Sequence, residues 1–205
     1  MTKIKKELTL TFGFLLCALV SLAQNNNSIK MQVNSTQSEE LREYFNFDGI
    51  DFYKLKFTGI ESLPQYFILT RHEYLHGKLY KSDTIVNTKK HQVKNRNDSL
   101  KISVMAKKIN STSSKFQFNL PIANIGRVYI TQNTDNYSLR NLTNNGKKDF
   151  KSNQSIDILA YTLPYTIAGE PDLYYCSFSD GIPTESWGEK FGVMHYIVFK
   201  IEFID

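Results

Sequence analysis

His72-Glu73-Tyr74-Leu75-His76 is the stretch of this chain whose residue types and spacing best match a metal-dependent reaction. On an α-helix, histidines at i and i+4 share a face and can hold one Zn²⁺. The glutamate after the first is then placed to take a proton from metal-bound water. The run from Leu63 to Thr70, with Pro64 early, can begin such a helix. A second candidate is the segment from Asp180 to Gly192, which holds Trp187, Glu185, Glu189 and three glycines. A flat ring beside carboxylates suits a sugar, because the ring covers the C–H face while polar groups take the hydroxyls. Tyr165 and Tyr174 are the aromatic residues expected near it. Two carboxylates also hydrolyse glycosides, but only across a gap of ~5–9 Å, which nearness in sequence does not establish.

Each candidate has a plainer counterpart. Read as a helix, the first motif resembles that of zinc metallopeptidases, a resemblance that implies His72 and His76 as ligands and Glu73 as general base. Arg71 puts a charge where those enzymes carry an uncharged residue, and Leu79 and Ser82 stand where the longer motif has a glycine and a third histidine. The segment also reads as a β-hairpin. Tyr66, Ile68, Thr70, His72 and Tyr74 alternate with Phe67, Leu69, Arg71, Glu73 and Leu75, and His76-Gly77 supplies the turn. On a strand the two histidines lie ~13 Å apart, too far for one metal. Trp187, for its part, can pin its loop by packing over a sheet edge. A role in binding predicts that Trp187→Ala abolishes binding and spares stability, whereas a packing role predicts loss of stability.

The elements that must position these residues are mostly strands. With 205 residues, 41% hydrophobic and 22% charged, the chain has globular composition and room for about one domain. Its 14 Phe and 12 Tyr lean towards β structure. Lys3, Lys5 and Lys6, the apolar run Leu8 to Val20 and the small-residue site Ser21-Leu22-Ala23 read as an export signal cut at Ala23-Gln24. A lipoprotein cut before Cys17 is the rival, but Leu16 is larger than that site favours. Removing residues 1–23 leaves 182 and takes away three Lys and one Glu, which lowers the formal charge from +5 to +3. That weakens the argument for an anionic partner. One cysteine, Cys176, then remains in an apolar run, so no internal disulfide is expected.

Residues 24–37 are polar and read as a flexible leader before a single β-rich domain over 38–205. Ser38 caps a short helix whose Leu41, Tyr44 and Phe45 share a face. Period-two alternation then marks strands around Asp51–Phe57, Leu100–Ala106, Phe116–Leu120, Val128–Ile130, Ile156–Leu163, Tyr174–Phe178 and Val193–Phe203. The stretches 87–98 and 141–155 read as long loops. His195 falls on an apolar strand face, as a core histidine does. The basic run Lys89 to Arg96 lacks interleaved aromatics, so it reads as a solvated loop and no nucleic-acid partner is expected. The pattern predicts a mainly β fold, an antiparallel β-sandwich or jelly-roll-like domain with one short N-terminal helix.

Asn136-Tyr137-Ser138-Leu139-Arg140, Leu159 to Tyr165 and Trp187 to Tyr196 resemble a group of uncharacterised secreted proteins of Bacteroides-type bacteria. The resemblance extends over most of the mature chain. It implies a Gram-negative secretory setting and assigns no chemistry. The expectation is an exported binding module of unknown ligand, a glycan being one guess, with no cofactor and no membrane span after cleavage. The alternatives are the zinc metallopeptidase and a structural component of a cell-surface assembly.

Overall fold

Alternation of side chains builds nearly every element of the structure, a computed structural model that describes residues 28–59, 62–143, 145–167, 172–175 and 181–205. The export segment and both cysteines lie outside the described residues. Strand β2 (Ile50–Gly59) buries Leu55 and Phe57 and turns Lys54 and Lys56 outward. The hairpin of β5 (Ser99–Asn110) and β6 (Ser113–Leu120) buries Ile102, Val104, Phe116 and Phe118 and exposes Lys101 and Lys115. With β1 (Ser28–Asn34), β7 (Ala123–Ile130) and β9 (Lys147–Lys151) they form a six-stranded antiparallel sheet in the order β7-β6-β5-β2-β1-β9.

The second sheet has five strands in the order β4-β3-β13-β10-β8. Its members are β3 (Tyr66–Leu75), β4 (Lys78–Asn87), β8 (Ser138–Asn141), β10 (Ile156–Thr162) and β13 (His195–Ile204). The fold is thus mainly β and antiparallel, with only short helices. Side chains of both sheets meet in one buried cluster, where Phe116 lies 5.3 Å from Phe199 and Phe57 lies 5.2 Å from Phe203. Strand β13 is apolar on both faces because both are covered. Ile197, Phe199, Ile201 and Phe203 face the first sheet, while Tyr196 and Val198 enter a second cluster on the far side. That cluster includes Tyr165 of β11 (Tyr165–Thr166), a short strand paired with β12 (Leu173–Tyr174). Trp187 also belongs to it and opens the helix α2 (Trp187–Phe191).

Several expectations need correction. The leader is not free through its length, since Ser28–Asn34 forms β1 and buries Ile29 and Met31 between the sheets. The loop expected over 141–155 contains β9, whose Phe150 is in the core. Strand β7 forms where Val128 and Ile130 mark it, but it turns Tyr129 inward and leaves those two exposed. Helix α1 (Glu39–Phe47) forms where Ser38 caps it, with the Leu41 amide donating to Ser38 Oγ at 3.3 Å. It buries none of its residues. Phe45 alone of its apolar positions packs a ring on the sheet, 5.2 Å from Phe52.

The β3–β4 turn and α2 touch at two glycines. His76 and Gly77 both have positive φ, 49° and 78°, as a two-residue hairpin turn requires. Gly188 packs so closely that a Cβ there would stand 2.3 Å from the Gly77 nitrogen. Gly188→Ala is therefore expected to cost about 1–3 kcal/mol, read as a lowered urea midpoint with the same slope. An unchanged midpoint would mean the contact is not kept in solution.

Candidate functional site

The strand periodicity that places His72, Glu73 and His76 also separates them. Neighbouring strand residues point to opposite faces, so Glu73 enters the space between the sheets while His72 faces the outer layer. His76 is a turn residue. The helical arrangement needed for one zinc ion is absent, and among the described residues no group of three His, Cys, Asp or Glu is placed to hold a metal. His72 Nε2 instead lies 3.1 Å from Thr70 Oγ1, and burial lowers its pKa.

Glu73 belongs to a buried polar chain. Arg71, 4% exposed, donates from its guanidinium to Glu73 Oε2 at 2.8 Å and pairs through Nε with Asp83 at 2.8 Å. The same guanidinium lies 4.3 Å from the centre of the Tyr129 ring. The other oxygen of Glu73 accepts from His195 Nε2 at 3.1 Å. That fixes the neutral tautomer, and His195 Nδ1 accepts the hydroxyl proton of Tyr137. The Tyr137 oxygen in turn accepts from the Gln132 amide at 3.3 Å. Both oxygens of Glu73 and both nitrogens of His195 are thus engaged inside the core. The arrangement locks β3, β13 and the loop before β8 together. Burial lowers the His195 pKa against the pull of Glu73 and raises that of Tyr137. Arg71, Tyr137 and the Glu73–His195 pairing were missed as a unit. The signal was the shared inward face of Phe67, Leu69, Arg71 and Glu73.

Trp187 is no sugar platform. It is 0% exposed, its ring centre is 5.2 Å from that of Tyr196, and its Nε1–H donates to the Ile182 carbonyl at 3.2 Å. Tyr165 is buried beside Phe191 at 4.8 Å and Tyr174 is half-buried 6.0 Å from Tyr165. The structure does bring these three aromatics together, but as a layer over the five-stranded sheet. Glu185 and Glu189 are exposed at its rim. Glu185 accepts from the Tyr74 hydroxyl at 3.1 Å; burial raises its pKa, but its own amide, Lys200 and Tyr74 outweigh that, so the net shift is down.

What remains open is the outer face of the six-stranded sheet. Its outward positions carry Lys30 on β1, Lys54 and Lys56 on β2, Lys101 and Lys107 on β5, Lys115 on β6, and Lys147 and Lys151 on β9. The acid among those strand positions is Asp149, opposite Lys30, and Lys107 is held by Asp48 at 2.6 Å. Lys56 and Lys101 are register partners on neighbouring strands, and among the described residues neither has an ion pair. Like charges so placed repel and destabilise the sheet. Beside them a cleft of about 630 Å³ opens between this face and the segment leading into α1. Asn34, Ser38, Lys54, Lys56, Lys101 and Asn119 are among its lining residues, and no carboxylate is. A second cleft, of about 410 Å³, lies against Tyr137 and Tyr161, where Lys108, Asp51 and both tyrosines already hydrogen-bond within the protein. Lys108 donates to the carbonyls of Gln132 and Thr134, each at 2.7 Å, and Asp51 accepts from the Leu139 amide at 2.7 Å.

A mainly β protein with a lysine-covered open sheet face is therefore the class that fold and surface define. Comparison of the chain with protein-family models, with curated proteins and with solved structures finds no match. Among the described residues no helix is long and apolar enough to cross a membrane.

Proposed function

We propose that the protein is an exported β-sandwich interaction module whose open sheet face binds an anionic ligand. Export is supported by the basic, apolar and small-residue order of residues 1–23. The sandwich is supported by the single core shared between the two sheets. The binding role rests on one observation: Lys56 and Lys101 face each other across neighbouring strands with Lys54 beside them, in a cleft without acids. Such a pairing costs stability in the free protein, and an anion seated between the ammonium groups reverses the sign of that term. The modest net charge conceals this, because the charge is gathered on one face.

Lys56→Glu separates function from fold. It replaces a repulsive cross-strand pair with an attractive one, so stability should rise by about 0.2–1 kcal/mol. Retention of the protein on immobilised dextran sulfate at about 0.15 M salt should fall about ten-fold. Wild-type protein held no better by dextran sulfate than by neutral dextran would overturn the proposal.

A further inference from the structure

Resting on the anion-binding face proposed above, we infer that its ligand is an acidic polysaccharide lying across the strands, from the edge strand β9 to the cleft under α1. Three strand registers place Lys147 opposite Gln32, Gln32 opposite Lys56, and Lys56 opposite Lys101. These four exposed residues form one transverse row, which at ~4.8 Å per strand spans ~14 Å. A hollow lies at each end of the row. One of about 360 Å³ is lined by Lys30, Gln32 and Lys147 together with the acid Asp149, which stands opposite Lys30, and the other is the acid-free cleft of about 630 Å³ lined by Lys56 and Lys101.

The residues between the charges decide the class of polymer. Gln32, Asn34, Ser103 and Asn119 share this face, with Asn119 Nδ2 donating to Ser103 Oγ at 3.2 Å. Ammonium groups interleaved with amides and hydroxyls match a chain that carries both acids and hydroxyl groups. Nucleic acid would look for ring faces on which to stack its bases, and no aromatic residue lines either hollow. An anionic lipid surface would meet α1 first. Phe45 turns that helix towards the sheet, so Glu43, 200° away around the helix, points out with Glu40 near it; both would repel lipid phosphates, while the exposed Phe47 shares that side, and the vesicle measurement below weighs the two.

Titration calorimetry of the purified protein with galacturonic acid oligomers tests the inference. A long oligogalacturonate should bind, and neutral dextran should not. Lys147→Ala should weaken the long oligomer about two- to five-fold and leave a dimer unchanged, because a dimer seated at Lys56 and Lys101 does not reach β9. Lys56→Ala should weaken both. If Lys147→Ala has no effect while Lys56→Ala does, the face binds anions but the transverse polymer is wrong. Tighter binding of single-stranded oligothymidylate, or of phosphatidylglycerol vesicles, at equal charge would overturn the polysaccharide and keep the anion-binding face. Binding to none of these polyanions would overturn both.

Discussion

Trp187→Ala is expected to cost about 3–5 kcal/mol of stability, the range for removing a large aromatic side chain from a packed site. The residue is wholly buried, packs its ring at a tilt against Tyr196 and uses its indole N–H on the Ile182 carbonyl. Its loss would leave a cavity over β13 and free the segment that covers the outer face of the five-stranded sheet. A domain of this size has only about 5–15 kcal/mol in total, so the variant should show a urea midpoint reduced by about a fifth or more. The opposite face carries the lysines, so anion binding measured well below the new midpoint should be unchanged. A variant as stable as the parent would show that Trp187 does not hold this layer in place.

Glu73→Ala should cost a similar amount, about 3–5 kcal/mol, for a different reason. Arg71 is almost fully buried, and removal of Glu73 leaves its guanidinium with Asp83 as its remaining ion-pair partner and His195 Nε2 without its acceptor. Glu73→Gln keeps the shape and an acceptor, so it should lose less. The same chain carries a pH dependence. Burial holds the His195 imidazole below its usual 6.5, against the opposing hydrogen bond and charge of Glu73. Below pH 6.5 the unfolded chain takes up a proton that the folded chain refuses. Stability is therefore full above pH 6.5 and declines as the pH falls towards the depressed folded value. His72 acts in the same sense, because burial and the charge of Lys200 lower it too. Asp51 acts in the opposite sense, since burial raises its pKa and the folded state holds that proton more tightly. Urea midpoints between pH ~7.5 and ~5.5 should slope downward, and His195→Gln should shrink the slope. A slope unchanged in that variant would remove His195 from the explanation.

The hairpin from Tyr66 to Asn87 was legible from residue order, because alternation and a His-Gly turn are local properties. The same alternation tells which of Arg71, Glu73, Lys54 and Lys56 share a face. It does not tell which face is covered. Leu41 and Tyr44 illustrate the limit: their spacing makes one side of α1 apolar, yet they stand exposed beside the sheet. Val128 and Ile130 show the same limit, since at the edge strand β7 the single aromatic Tyr129 took the inward position.

By itself the sequence determined the antiparallel β class, most strand positions and the capped helix at Ser38, while for His72 to His76 it offered both a helix and a hairpin. These follow from side-chain period and turn chemistry within a few residues. Only the tertiary structure decided the candidate site. Lys147, Lys56 and Lys101 are separated by tens of residues, and strand order alone brings them into one row. Trp187 was decided in the same way, for whether a ring is a platform or a plug depends on what lies beneath it. Net charge is a sum over the chain, whereas binding depends on where the fold puts each charge.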